Sequence, residues 1–525
     1  MRDAGSGASL LSGAKAPPPG SAEELRRFAQ IQERLVPLFR RVYPEARFRP
    51  DPSVPRTVVV VPSLSLDVEE LAKISGVHHY EERLLCMLMF LRMPHTHMVF
   101  VTSQPIAEPI VDYYLHLLPG VPLGHARRRL TLLSCHDASD VPLTQKILER
   151  PRLMERIRAA IPDPGAVSLT CFNSTPLERT LAVRLDIPLY GNDPKLAHLG
   201  SKSGGREVFR EAGIPLPDGF EHLRDEQDIV EAVAELKRRN PGLRRVVIKL
   251  NEGFSGEGNA TFHYDGAPEE GDLTPWVQEE LPRRIRFEAP GETWEHYRQK
   301  FAEMGGIVES FVEGEEVRSP SVQCRIDPLG RATIISTHDQ VLGGPSGQIF
   351  LGSTFPADAE YSQEIQDAGR RVSKVLKERG VLERFAIDFV SVKREGRWEH
   401  AAIEINVRKG GTTHPYLMLQ FLTDGTYDPG DGTYCTPTNQ PCYYYASDNL
   451  QSPAYKGLTP DDLVDIAVDH GLHFDAATQQ GVVFHLIGPL SQYGKLGTVC
   501  IGDSRQSAEK FYRDTVAVLD REAQQ

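Results

Sequence analysis

The chain has 525 residues, more than one compact core organises, and at roughly 100–200 residues per domain this predicts three or four units. Hydrophobic residues at 40% and charged residues at 25% are ordinary globular usage and exclude a wholly disordered or fibrous chain. A formal net charge of −13 argues against nucleic-acid binding through general electrostatics. The longest apolar stretch, Leu84–Leu91, is closed by Arg83 and Arg92, far short of the ~20 residues a spanning helix needs. Leu10 and Leu11 sit in a Gly/Ala/Ser/Pro run, which is not the pattern of a secretory signal. Seven scattered cysteines without a CxxC indicate neither a zinc site nor a disulfide framework. The expectation is a cytoplasmic protein with reduced thiols and neither nucleic-acid nor membrane partners.

Residues 1–21, with Pro17-Pro18-Pro19, read as a disordered leader. A helix is predicted from Glu23 to Val42, then a buried strand at Thr57–Val61 ended by Pro62. Helical periodicity runs from Glu69 to Leu91, broken near Gly76. Strands at His97–Thr102, Leu130–Ser134 and Ala166–Thr170 then alternate with helices at Pro109–Leu118, Thr144–Ala160 and Thr175–Leu185. That alternation predicts a parallel, helix-covered sheet over 22–190. No GxGxxG follows its strands, so it reads as a scaffold or substrate-contacting domain rather than a dinucleotide site.

Over 191–424 the texture changes. A helix at Ser201–Ala212 stops at Gly213. Strands follow at Arg245–Leu250, Gly306–Val312, Glu316–Ile326, Ala332–Val341, Phe385–Lys393 and His400–Val407, with one helix at Ser362–Glu378. This is an α+β block of antiparallel character. After the Gly/Pro/Thr/Asp-rich stretch Thr423–Tyr443, a small α+β unit over 425–525 has helices at Thr459–His470 and Ser504–Leu519. Its strands are predicted at Gly481–Ile487 and Leu496–Ile501.

The most informative segments are Arg384–Val390 and Ala402–Arg408. Alternation along a strand puts Glu404, Asn406 and Arg408 on one face and Ile403, Ile405 and Val407 on the other. Centring the turn on Gly396 makes Asp388 and Glu404 direct cross-strand partners. Two carboxylates facing at ~5 Å repel unless a cation lies between them. With the Asn406 side-chain oxygen they form a hard donor set suited to Mg²⁺. The same residue types also suit a water-facing sheet surface, which the surrounding Phe, Ile, Val and Ala argue against.

Lys249 ends an apolar strand before a loop containing Gly253, Ser255, Gly256 and Gly258. Such a loop can bring backbone N–H groups to phosphate oxygens, with the lysine as point charge, although the spacing is not that of a P-loop. A plain turn beside a strand-end lysine is the alternative. Ile307–Glu316 can line an adenine slot through backbone at Phe311 and Val312, or be a β-hairpin with an acidic turn.

In this order, Lys202, Lys249, the Gly loop, Glu309 with Glu316, Asp388 and Glu404-x-Asn406-x-Arg408 resemble the ATP-grasp superfamily. The wider chain is most similar to the pheganomycin-type peptide ligases. The resembling segments are Val101–Pro105, Gly200–Ser203 with Gly213–Pro215, His338–Gly344, Glu404–Pro415 and Gly481–His485. The resemblance implies an α/β and α+β multidomain protein with a Rossmann-like pre-ATP-grasp domain, an ATP-grasp fold whose mobile lid covers about 214–311, and a small C-terminal domain.

It also implies roles. Lys202 and Lys249 contact ATP phosphates under the loop 253–258. Glu309 and backbone at Ser310, Phe311 and Val312 meet adenine, and Glu316 meets ribose. Asp388, Glu404 and Asn406 hold two Mg²⁺ ions, and Arg408 faces the transferring phosphoryl group. Some relatives carry an arginine where this chain has Ala386, so Arg408 acts alone or with help from Arg384. His338, Gln340, Thr412, Thr413 and His414 are assigned to substrate binding, with Thr413 and His414 equally readable as a helix start. The expected chemistry is amide formation through an acyl phosphate, releasing ADP and phosphate, between small-molecule carboxylate and amine substrates, one of them a peptide. A phosphotransferase and a nucleotide-binding regulator without turnover are the alternatives. A dimer is compatible with the sequence, which leaves oligomeric state and substrate identity open.

Overall fold

The computed structural model describes residues 17–44, 50–66, 71, 74, 76–253, 258–289, 291–343, 347 and 349–524. Residues 1–16 of the expected leader, and Ser255 and Gly256 of the Gly loop, lie outside these. The first sheet is parallel, with strands β1 (Arg56–Val61), β2 (Thr96–Thr102), β3 (Leu130–Ser134) and β4 (Val167–Cys171) in the order β3-β2-β1-β4. β1 is buried along its whole length, as its unbroken Val run requires of a strand covered on both faces.

Proline divides two helices that periodicity joins. Glu23–Val42 is two helices, Ala22–Gln32 and Leu35–Val42, because Pro37 has no N–H to return to residue 33. Thr144–Ala160 likewise splits into Leu143–Leu148 and Pro151–Ala159, with Pro151 opening the second. Val77–Arg92 is wound as a 3₁₀-helix behind Gly76, which adopts the left-handed φ of 67°.

A second, antiparallel sheet comprises β5 (Gly219–Leu223), β6 (Arg245–Leu250), β7 (Asn259–His263), β8 (Arg286–Phe287) and β9 (Gly306–Ser310), in the order β5-β9-β6-β7-β8. Helices Glu226–Arg239, Thr274–Arg284 and Trp294–Met304 contribute to one apolar core with it.

The largest sheet has nine strands. From the middle of the chain come β10 (Glu316–Arg318), β11 (Pro320–Ile326), β12 (Ala332–Gly343), β13 (Ile349–Phe355), β14 (Glu383–Arg394) and β15 (Arg397–Asn406). Pro320 divides what reads in sequence as one strand into β10 and β11, both paired to β14. After the small hairpin of β16 (Thr426–Asp428) and β17 (Thr433–Cys435), the sheet is extended by β18 (Tyr443–Gln451), β19 (Gly481–His485) and β20 (Lys495–Gly502). β18 pairs with β13, so the C-terminal strands continue the sheet that carries the carboxylate hairpin. Helix Ser362–Glu378 packs its apolar face against β11 and β12.

The β14–β15 hairpin turns at Glu395-Gly396, with φ of 50° and 78°, between the partners Arg394 and Arg397. Positive φ at both central residues defines a two-residue type I′ turn matched to strand twist. The turn is thus centred half a residue before Gly396. A bulge at Ile403 restores the register, since Phe389 pairs with Ala402 but Asp388 pairs with Glu404. The expected carboxylate pairing holds, reached by a different route.

A β-carbon at Gly396 would meet nothing within 4 Å, so a substitution there tests backbone conformation alone. Gly396→Val is expected to lower unfolding stability by about 1–2 kcal/mol in denaturant titration, while Lys393→Val on the neighbouring strand is not.

Candidate active site

The hairpin presents Asp388, Glu404, Asn406 and Arg408 to a cavity of about 940 Å³. Asp388 accepts from Asn406 Nδ2 at 3.0 Å and from Gln340 Nε2, on β12, at 2.9 Å. The Asn406 amide therefore turns its nitrogen to Asp388 and leaves its oxygen for another partner. Glu404 meets Lys202 Nζ at 2.5 Å. Burial, and then the charge of Glu404, push the Asp388 carboxyl above its usual range. Burial also works upward on Glu404, but the Lys202 charge and hydrogen bond, with Arg408, outweigh it and hold that carboxyl low.

Lys202 reaches Glu404 because its helix starts against the hairpin. A β-carbon at Gly200 would lie 2.7 Å from Val407 Cγ2, and one at Gly204 2.0 Å from the His198 carbonyl oxygen. Only glycine permits these approaches. Ser201 caps the helix Lys202–Glu211, and the Lys202 N–H donates to the Asn251 carbonyl at the end of β6. The helix and the β6 lysine are thereby held together.

Lys249, on β6, pairs with Glu309 of β9 at 2.6 Å, and Arg206, one turn after Lys202, takes the other Glu309 oxygen at 2.8 Å. All three side chains are buried. Both Glu309 oxygens thus carry cations, so this residue orients Lys249. Ser310, Phe311 and Val312 line the cavity, and Arg245 stacks 3.6 Å from the Phe311 ring centroid. Glu316 pairs with Arg318 and lies outside the lining. Gly253 and Gly258 line the cavity mouth.

Of the residues assigned to substrate, Gln340 and Thr412 line the cavity and the others do not. His338 is buried among Phe355 and Tyr444, with Nε2 2.6 Å from the Tyr444 hydroxyl, and burial lowers its pKa to about 3. Thr413 Oγ1 accepts from the Gly410 N–H, and helix Thr413–Thr423 begins there. His414 stacks on His485 at 4.3 Å and bonds the Tyr114 hydroxyl at 2.8 Å. His338 and His414 thus join this region to the C-terminal strands, and His414 also to the helix Glu108–His116. Arg384 lines a different cavity from Arg408.

Sequence reasoning missed Tyr80, Arg83 and Asp448 in a further wall of the cavity. Arg83 pairs with Asp448 at 3.0 Å, Asp448 accepts from His485 at 3.0 Å, and Lys495 donates to Tyr80 at 2.7 Å. Arg83, Tyr80, Asp448 and Lys495 all line the cavity. The charged triplet Glu81-Glu82-Arg83 directly ahead of the apolar run Leu84–Leu91 was the local signal for Arg83.

The arrangement is that of an ATP-grasp enzyme. The family described as "IQCH-like, ATP-grasp" matches residues 194–283 and 283–430, and the "PGM1 C-terminal domain" matches 462–515. The L-propargylglycine–L-glutamate ligase of Streptantibioticus cattleyicolor is 32% identical over 456 residues, 86% of this chain and 91% of that protein. IQ motif-containing protein H of Danio rerio is 23% identical over 90% of this chain, which spans 49% of that protein. Biotin carboxylase of Campylobacter jejuni shares the fold at a TM-score of 0.52 and 12% identity, covering 90% of this chain and 95% of that one. The biotin carboxylase domain of Hydrogenobacter thermophilus 2-oxoglutarate carboxylase, a complex with MgADP, does so at 0.51 and 14%, covering 88% and 89%. The chain belongs to the ATP-grasp family and is a carbon–nitrogen ligase. Among the described residues no helix is long and apolar enough to cross a membrane.

The donor set fits magnesium. Two facing, half-buried carboxylates and a free amide oxygen are hard ligands too few to enclose an ion, which leaves places for water and phosphate oxygens. The raised Asp388 marks negative charge that the protein alone leaves undercompensated. A carboxyl raised on folding destabilises the native state above its folded pKa, and the penalty fades as pH falls toward the unfolded value. Asp388→Asn is therefore expected to raise the melting midpoint at pH 8, by an amount that shrinks towards pH 4. Mg²⁺ with ADP should stabilise the natural chain and leave the variant unchanged, with ligase turnover in the variant down by about 10²-fold or more.

Proposed function

We propose that this enzyme activates the carboxylate of an amino acid, or of an amino-acid derivative, as an acyl phosphate and joins it to the amine of a second amino acid or short peptide. The support is the convergence of Asp388, Glu404, Lys202, Lys249 and Arg408 on one cavity, in a chain related to an enzyme named for joining two amino acids.

In this reading Lys249 and Lys202 bind the nucleotide phosphates, and the segment from Gly253 to Gly258 closes over them. Ser310–Val312 meet the base through backbone groups. Glu309 holds Lys249 in place, which a carboxylate already carrying two cations does better than it accepts from adenine. Asp388, Glu404 and Asn406 would hold two Mg²⁺ ions. When bound, the ions neutralise charge on the phosphate oxygens and orient them for in-line transfer.

Arg408 faces the γ-phosphoryl group as its charge spreads over the equatorial oxygens. The substrate carboxylate oxygen attacks phosphorus and ADP leaves. The acceptor nitrogen then attacks the acyl carbon, the C–O bond to phosphate breaks, and the nitrogen loses a proton. A closed cavity matters because water competes for the acyl phosphate. The Arg83, Tyr80, Asp448 and Lys495 wall faces the acceptor in this scheme.

A mass-spectrometric screen of amino acids and dipeptides with MgATP tests the reading. The expected product is one water lighter than its two inputs, with one ADP released per amide and none without both substrates. A phosphorylated product that persists when amine is added would contradict it.

A further inference from the structure

A second cavity, of about 90 Å³, lies where β1 and β4 of the parallel sheet meet β11 and β14 of the large sheet, beneath helix Leu35–Val42. Consecutive residues Arg408 and Lys409 line different cavities, the first at the nucleotide site and the second here. Four cations line this one, Arg56, Arg325, Arg384 and Lys409, against the single carboxylate of Glu383. That carboxylate is taken up by Lys409 at 3.0 Å. Lys409 Nζ also reaches Thr170 Oγ1 and the Cys171 carbonyl, so it is fully coordinated.

Arg384 is not so placed. Arg325 and Arg384 are direct cross-strand partners on β11 and β14, an arrangement in which like charges repel. The Arg384 side chain belongs to a residue only 9% exposed, and among the described residues it has neither a hydrogen bond nor an ion pair. Burial lowers its pKa even against the Glu383 charge, so the guanidinium loses more water than its surroundings replace. The Tyr190 hydroxyl and Arg56 Nη2 face the same seam, buried and without partners. Buried polar groups are almost always satisfied, and a buried cation is paired. Several donors around one small space, whose single carboxylate is already taken up by Lys409, mark a place for an acceptor-only ligand.

We propose that this cavity is a binding site for a small oxyanion, separate from the nucleotide site, with phosphate as its best-fitting member. Planar guanidinium forks and a phenol hydroxyl direct several N–H and O–H groups at separate oxygen atoms, which an oxyanion offers and chloride does not. The space holds about three waters, enough for one tetrahedral oxyanion and too little for a nucleotide. The ligand ties β1 and β4 to β11 and β14 across the seam.

The test is the thermal midpoint of the full chain, with Mg²⁺ and a non-hydrolysable ATP analogue filling the nucleotide site. Phosphate, sulfate and bicarbonate are titrated separately against chloride at matched ionic strength. A saturable rise of roughly 3 °C is expected with phosphate at about 100-fold excess over its Kd. Arg384→Met should abolish it and, in chloride alone, melt at or above the natural chain because an uncompensated charge is gone. Tyr190→Phe, which removes a single donor, should weaken phosphate several-fold and serves if Arg384→Met does not fold. A rise with sulfate as well supports a tetrahedral oxyanion site, and one with bicarbonate alone supports the oxyanion class with a planar member. No rise with any of the three, or an equal rise in both variants, overturns the proposal.

Discussion

Two carboxylates facing each other across neighbouring strands form a repulsion that the rest of the site offsets. Asp388 and Glu404 are paired in register, half-buried, and unequal in protonation preference, because Lys202 bonds directly to Glu404 while the hydrogen bonds to Asp388 come from amides. Lys202 is available because small residues let a helix start touch the hairpin. Lys249 is aimed by Glu309, which Arg206 fixes in turn. Lys202 and Lys249 are each set by an anion beside them, and the imbalance that remains is on the Asp388 side.

Strand β14 carries the opposite imbalance four residues earlier. Arg384 faces Arg325 as Asp388 faces Glu404 across β15. The first pair lies under the parallel sheet and the second at the catalytic cavity. One strand thus joins a cation-seeking pair to an anion-seeking one. An oxyanion at the seam and a metal at the hairpin would brace the same strand from its two ends.

Much of this was legible in the sequence where local pattern and tertiary environment agree. Short strands rich in apolar residues, such as Arg245–Leu250 and Leu130–Ser134, fall where the residues place them, as does the amphipathic helix Ser362–Glu378. Alternation put Glu404, Asn406 and Arg408 on one face, and all three line the cavity. The bulge at Ile403 was invisible, because a one-residue offset in the turn and a one-residue bulge cancel in the register of Asp388. His338 shows the other limit. It shares a strand face with Gln340, but Phe355 and Tyr444 cover it, and covering is a property of other chain segments. Arg83 and Asp448 were unreadable for the same reason, since 365 residues separate partners that meet at 3.0 Å. The continuity of β13 with β18 also hides in Tyr443–Gln451, which has no clean alternation.

The central claim is that Asp388 and Glu404 hold a divalent cation against bound nucleotide. The most direct measurement is the anomalous scattering of Mn²⁺ in crystals grown with Mn²⁺ and a non-hydrolysable ATP analogue. The account predicts manganese within about 2.2 Å of oxygens from both carboxylates and from the phosphate chain. Manganese bound to phosphates alone, with Glu404 still on Lys202 and Asp388 still held only by Gln340 and Asn406, would contradict it.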